Sequence, residues 1–291
     1  MDKNNTPKLQ EAMSAYLKGS YETAFNMFCE LAFDNNGRAM YFLGKFYEVI
    51  PGVNIVKQRY ELRDTWYKLG ASRGDALATL AYIRAKLKLT AKNGISIKVF
   101  NNCFETVRTK AIEGDAFAKM EMYYTYSDAS IYEDYYNKYL NEDYKEEFKW
   151  LCEAAETGSP EGMVKLGTCY DGGYYVYGVV SDYKEALRWY QKAAELNNSM
   201  AMYYLGILYS NGRGVQQDHS EAFKWYMKSA ELGDVDAMLK LGTAYEDGLG
   251  VEKNYGEASR WYQKAYDSGW GSSVQGKSKL EKLLKKCGLV F

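Results

Sequence analysis

The stretch Ala201-Met202-Tyr203-Tyr204-Leu205-Gly206-Ile207-Leu208-Tyr209-Ser210-Asn211-Gly212-Arg213-Gly214-Val215 returns 36 residues later as Ala237-Met238-Leu239-Lys240-Leu241-Gly242-Thr243-Ala244-Tyr245-Glu246-Asp247-Gly248-Leu249-Gly250-Val251. A second limb follows each copy. Ala222-x-x-Trp225-Tyr226 recurs as Ala258, Trp261 and Tyr262, and upstream as Ala186, Trp189 and Tyr190. Apolar residues at 201, 205, 208 and 209, and at 222, 225, 226, 229 and 230, trace the stripe of an amphipathic helix. Each unit is therefore expected to be two helices of about 12 to 15 residues joined by a glycine turn.

With this register fixed, weaker copies align upstream. A small residue closes each unit at Asn35, Gly74, Gly114, Gly158, Asn197, Gly233 and Gly269. Glycine or asparagine suits a helix end in the left-handed region. Four places on stands Ala39, Ala78, Ala118, Gly162, Ala201 or Ala237, and Ser159-Pro160-Glu161 reads as N-cap, first-turn proline and first-turn acid. One helix pair cannot bury its apolar face, whereas stacked pairs bury it for each other. The expected fold is all-α: one solenoid over 1–291, with a divergent first repeat at 8–35. Repeats follow at 36–74, 75–114, 115–158, 159–197, 198–233 and 234–269, then a capping helix at 270–291. The tryptophan is expected to wedge between helices, burying on the order of 200 Å² per repeat. The glycine at 206 is expected to admit a close neighbour.

The order Ala, Leu-Gly, Tyr, Gly-x-Gly-Val, then Ala-x-x-Trp-Tyr and a closing glycine resembles the Sel-1-like repeat, a relative of the tetratricopeptide repeat. The resemblance implies a right-handed superhelix whose first helices line a concave face. It also implies an adaptor or scaffold role in signalling, protein quality control or bacterial host and competitor interactions. One secreted branch of the family handles β-lactams and carries two cysteines per repeat. The five cysteines here (29, 103, 152, 169 and 287) form no such pairs, and that activity is not carried over. Their odd number and irregular spacing fit buried thiols in a reducing compartment rather than a disulfide framework.

Composition narrows the function classes. Thirty-seven basic residues nearly cancel 38 acidic ones, leaving a formal charge of -1 without the basic excess of a nucleic-acid binder. The lysines at 277, 279, 282, 285 and 286 fit the wet face of a terminal helix or, less simply, a phosphate patch. No run approaches the roughly 20 apolar residues of a membrane span. Nor does an apolar leader stand at the start, so a cytoplasmic location is expected. The lone histidine, His219 beside Asp218, reads as helix-end solvation or capping, and no Cys/His set has zinc spacing. The expectation is no enzyme, no metal and no cofactor.

Repeats diverge where they are used. Thr106 replaces the tryptophan and Ile83 the glycine in the third repeat, and Tyr123 takes the glycine place in the fourth. The loop Ser127 to Tyr136 carries Tyr132, Tyr135 and Tyr136, and the fifth repeat carries Tyr174 and Tyr175. Drift and binding both account for such loops, since exposed tyrosine is favoured at interfaces. Counting the small residue as one, the third position is always apolar (Tyr41, Leu80, Met120, Val164, Tyr203, Leu239) and reads as packing. The fourth and seventh mix aromatic and charged types, as a recognition surface does. Candidate partner-binding residues are Phe42, Lys45, Arg84, Glu121, Tyr124, Lys165, Tyr204, Ile207 and Lys240, with the tyrosines at 132, 135, 136, 174 and 175. They are expected to hold a protein or peptide, and alanine at Phe42, Tyr124 and Tyr204 to weaken binding without unfolding. Two further readings stand beside the adaptor. One is an immunity protein plugging a bacterial effector such as a secreted lipase, with the acidic tyrosine-rich loop as the plug. The other is a hydrolase built on the solenoid, marked by acids around His219 in a closed pocket.

Overall fold

A computed structural model of the chain describes residues 6–47, 60–87, 97–129, 144–172 and 178–268. The expected cap at 270–291 lies outside them. The described residues form fourteen α-helices and no strand. In chain order these are α1 (Pro7–Leu17), α2 (Tyr21–Phe33), α3 (Gly37–Tyr47), α4 (Tyr60–Ser72), α5 (Ala76–Leu87), α6 (Ile97–Ile112) and α7 (Ala116–Ala129). They continue with α8 (Tyr144–Glu156), α9 (Pro160–Gly172), α10 (Tyr183–Glu195), α11 (Ser199–Asn211), α12 (His219–Glu231), α13 (Val235–Asp247) and α14 (Tyr255–Asp267). Neighbours in sequence pack on one another within two units, the first holding α1 to α9 and the second α10 to α14.

The turns between repeats follow one scheme. The residue read as the closing position has positive φ at Asn35, Gly74, Gly114, Gly158, Asn197 and Gly233. Two backbone bonds seal each turn. At Asn197 its N–H reaches Ala194 O (3.0 Å) and the Asn198 N–H reaches Ala193 O (3.2 Å), which satisfies the last carbonyls of α10. The next side chain then caps the following helix. Asn36 accepts from the Ala39 N–H, Asp75 from Ala78, Asp115 from Ala118, Ser159 from Gly162, Asn198 from Ala201 and Asp234 from Ala237. Each such cap stabilises its helix by about 1 kcal/mol. One short turn thus ends a helix and starts the next.

Within a repeat, the glycine meets an aromatic ring, and the ring is tyrosine rather than tryptophan. A β-carbon on Gly206 would collide with the Tyr226 ring, one on Gly44 with Tyr67, and one on Gly242 would lie 2.7 Å from Tyr262. These tyrosines are buried, as is Tyr190. Trp225 and Trp261 are only half-buried. Their faces are roofed by lysines one turn on, Lys228 at 4.1 Å and Lys264 at 4.8 Å from the ring centres. The expected tryptophan burial holds at Trp150 and Trp189, which are buried, and is partial at Trp225 and Trp261. What it missed is that the residue after the tryptophan fills the glycine notch. Where the notch is lost, the ring is lost too. Buried Ile83 is matched by Val107 at the tyrosine place, and Tyr123 by Leu151.

The second glycine of Gly-x-Gly-Val joins adjacent repeats. Gly250 has φ +74 and presses against the His219 carbonyl at the start of the preceding second helix, and Gly214 meets Tyr183 likewise, where a β-carbon would lie 2.6 Å from its oxygen. Only glycine fits there on both counts.

Gly206→Ala should destabilise the fold by roughly 1–3 kcal/mol, as overpacking does. Urea unfolding followed by circular dichroism reads this, and Tyr226→Leu in the same chain should recover part of the loss.

A pH effect follows from one cap. Burial first, then the charge of Asp236, raises the Asp234 carboxyl from 3.8 to about 6 against the pull of its bonds to backbone N–H groups. The folded state then holds the proton more tightly than the unfolded one, so stability falls as pH rises from about 4 through about 6. Asparagine caps the equivalent place at Asn198. Asp234→Asn should match the wild type near pH 4 and be the more stable above pH 6, as measured by urea unfolding across that range.

Candidate partner-binding site

In the first unit, the face read as a groove is filled by its own side chains. Helix α3 is buried from Gly37 to Phe46. Phe42 stacks on Phe28 (4.4 Å between ring centres) and meets Phe117 of α7 edge-on (4.6 Å), while Tyr16 of α1 touches Phe42 and Phe117. Phe42 is thus a core residue with no surface for a partner, and its alanine variant tests stability rather than recognition.

Charged groups continue the same packing. Glu121, fully buried, accepts from the Tyr41 hydroxyl (2.8 Å) and pairs with Arg84 of α5 (3.4 Å). Lys45 pairs with Glu161 of α9 (3.6 Å), which also accepts from the Tyr124 hydroxyl. Arg38 bridges Asp75 (2.8 Å) and Asp115 (3.3 Å), the caps of the next two first helices. Side chains of α3 therefore reach α5, α7 and α9. The expectation that Lys45 and Glu121 face a partner is corrected: both are buried and tie first helices together. Buried ions need partners, and here the partners come from other repeats.

What remains accessible is the rim of this network. Tyr124 is half-buried, with Arg84 4.6 Å, Lys45 4.8 Å and Lys165 5.2 Å from its ring centre. Lys165 also lies over Tyr123 (5.6 Å). Four of the candidate residues, Lys45, Arg84, Tyr124 and Lys165, thus converge on one ring, three of them partly open to solvent. Such a patch offers aromatic area beside three cations, of which Arg84 and Lys45 are already paired with Glu121 and Glu161.

The second unit keeps its first-helix face more open. Tyr204 is half-buried and stacks on Tyr190 (4.9 Å), beside Tyr203. Ile207 packs partly into the core around Tyr226, and Lys240 is exposed on α13. His219 is half-buried against a pocket between α11, α12 and α13, while the capping is done by Asp218, which accepts from the Glu221 N–H (2.9 Å). Tyr132, Tyr135, Tyr136, Tyr174 and Tyr175 lie outside the described residues.

Little here suggests covalent chemistry. Burial raises the Cys152 thiol to about 11 and, with the charge of Cys152 added, Cys169 to about 12, so both are poor nucleophiles at neutral pH. Among the described residues no group of His, Cys, Asp or Glu is arranged to hold a metal, and no helix is long and apolar enough to cross a membrane.

The Sel1 repeat pattern matches residues 37–53, 160–198, 199–234 and 235–270. The crystal structure of a Sel1 repeat protein from Oxalobacter formigenes is 30% identical in sequence, over 89% of this chain and 99% of that one, with a TM-score of 0.54. This chain belongs to the Sel1 repeat family. A second Sel1-like structure, the protective antigen c5321 of uropathogenic Escherichia coli, is 22% identical with a TM-score of 0.50 and shares the fold. That match covers 91% of this chain and 56% of that protein. No curated protein matches the chain. Sel1 repeat proteins generally mediate protein–protein interaction and are typically non-catalytic.

Sequence reasoning missed Glu161, the first-turn acid of a Sel1 repeat, which joins Lys45 to Tyr124. It also placed Tyr41 in simple packing, although its hydroxyl meets Glu121. Neither has a local signal, since Tyr41 and Glu121 lie two repeats apart and Lys45 and Glu161 three.

Removing one partner from this network leaves a buried charge. Glu121→Ala should lose roughly 3 kcal/mol or more, read by denaturant unfolding. The Arg84→Ala, Glu121→Ala double variant should lose less than the sum of the two single changes.

Proposed function

We propose that the chain is a bacterial adaptor or scaffold without catalytic activity, which holds a protein or peptide partner in the cytoplasm. The observation that carries this reading is the convergence of Arg84, Tyr124 and Lys165, from three successive first helices, into one half-open aromatic and cationic patch. The half-open tyrosines and Lys240 of the second unit supply a further patch of the same composition. Free cysteines at 29, 103, 152 and 169 support a reducing compartment. The patch chemistry suits a partner that presents acidic and apolar groups together, because the ammonium and guanidinium groups are held beside aromatic area rather than scattered on a wet surface.

The test is a pull-down from native lysate with the purified chain, read by mass spectrometry and repeated with Lys165→Gln and Tyr204→Ala. Each variant should bind the captured partner about tenfold more weakly, as loss of an interface anchor does, with an unchanged thermal melt. A partner retained at full affinity by both variants would move the binding surface elsewhere.

A further inference from the structure

Between α11, α12 and α13 lies a pocket of about 100 Å³ that the packing of the repeats does not use. Its polar lining is Ser210 from α11, His219 and Tyr226 from α12, and Lys240 and Thr243 from α13, with Ala222, Phe223, Ala244 and Leu249 as apolar wall. No carboxylate is among these residues. In a chain with 38 acids, a polar pocket lined by one lysine and no acid has a definite charge preference.

We propose that this pocket takes a carboxylate from the bound partner, with Lys240 as its counter-ion and the Ser210 and Tyr226 hydroxyls beside it. The proposal rests on the partner-binding reading above and names the chemistry the partner would bring to the second unit.

Several observations support it. The volume holds a few water-sized groups, enough for a carboxylate and its adjoining carbon but not for a ring. Burial, with the charge of Tyr203 added, holds the Tyr226 phenol far above its usual range despite a hydrogen bond with Ser210, so it stays protonated and able to donate. The Thr243 hydroxyl donates its one proton to Leu239 O (3.1 Å) and meets the Tyr262 hydroxyl (2.9 Å), so it shapes the pocket wall and leaves donation to Ser210, Tyr226 and Lys240. Lys240 is exposed, free to swing over the mouth and close on an anion. A single ammonium matches a single negative charge, favouring a carboxylate over a doubly charged phosphate.

The experiment is a titration of the full-length, isotope-labelled chain by nuclear magnetic resonance at fixed ionic strength. The probes are N-acetyl-glutamate amide for a side-chain carboxylate, N-acetyl-alanine for a chain-terminal one, and inorganic phosphate, with sodium chloride as the blank. The expected result is saturable shifts at Ser210, Tyr226 and Thr243 with one or both carboxylates, and about tenfold weaker binding for Lys240→Met, the size of a lost charged hydrogen bond. Which carboxylate binds the tighter says whether an internal acid or a chain end is taken. Tighter binding of phosphate, or shifts that sodium chloride reproduces or Lys240→Met leaves intact, would overturn the proposal. The readout needs no partner, so it stands or falls separately from the pull-down.

Discussion

A hydrogen atom in place of a side chain sets the spacing of this protein. At Gly44, Gly206 and Gly242 the first helix carries a notch, and a tyrosine from the second helix of the same repeat fills it. That contact fixes how close the two helices lie. The compensated pairs, Ile83 with Val107 and Tyr123 with Leu151, keep the joint filled with other shapes. Interiors are close-packed, so volume added on one helix must be removed from its partner. The fold tolerates change in either residue only as a change in both.

The first unit shows what happens when such joints are combined with buried ions. Arg38, Tyr41 and Lys45 on one helix find their partners on helices one, two and three repeats away. A face that in an open array would be available to a ligand is instead consumed in holding repeats together. What the network leaves accessible are side chains at its margin, such as Tyr124 and Lys165. In the second unit, Tyr203 and Tyr204 of the first helix stay half-open.

Much of the fold was legible because its signals are local. A left-handed residue, a capping side chain and a small residue four places on are read from a short window, and all six described turns follow that scheme. The helix type and the pairing came from periodicity for the same reason. The site was less legible. Sequence position told which residues lie on the first-helix face at the seventh place, and Lys45, Arg84 and Tyr124 do meet. It could not tell that the same face would be closed by contacts across repeats, because curvature is a sum of small rotations that no single repeat reveals. Phe42 shows the cost: its composition suits an interface, yet Phe28 and Phe117 already cover it. The notch contact was missed for a different reason: the regular recurrence of the tryptophan drew attention, while the tyrosine beside it, equally regular in three repeats, fills the glycine notch.

The two kinds of connection also differ in how much history they can record. Between repeats, the joint from α10 to α11 or from α12 to α13 has a residue for every task, and an added one would misplace both the left-handed turn and the cap. Within repeats, the span from Asn211 to His219 is short and that from Ala129 to Tyr144 is twice as long, with the paired helices packed alike. Novelty can therefore enter this lineage through one class of loop and is barred from the other. A repeat array of this design diversifies by lengthening the links inside its modules while the links between them stay frozen, much as a ladder can change its rungs but not its rails.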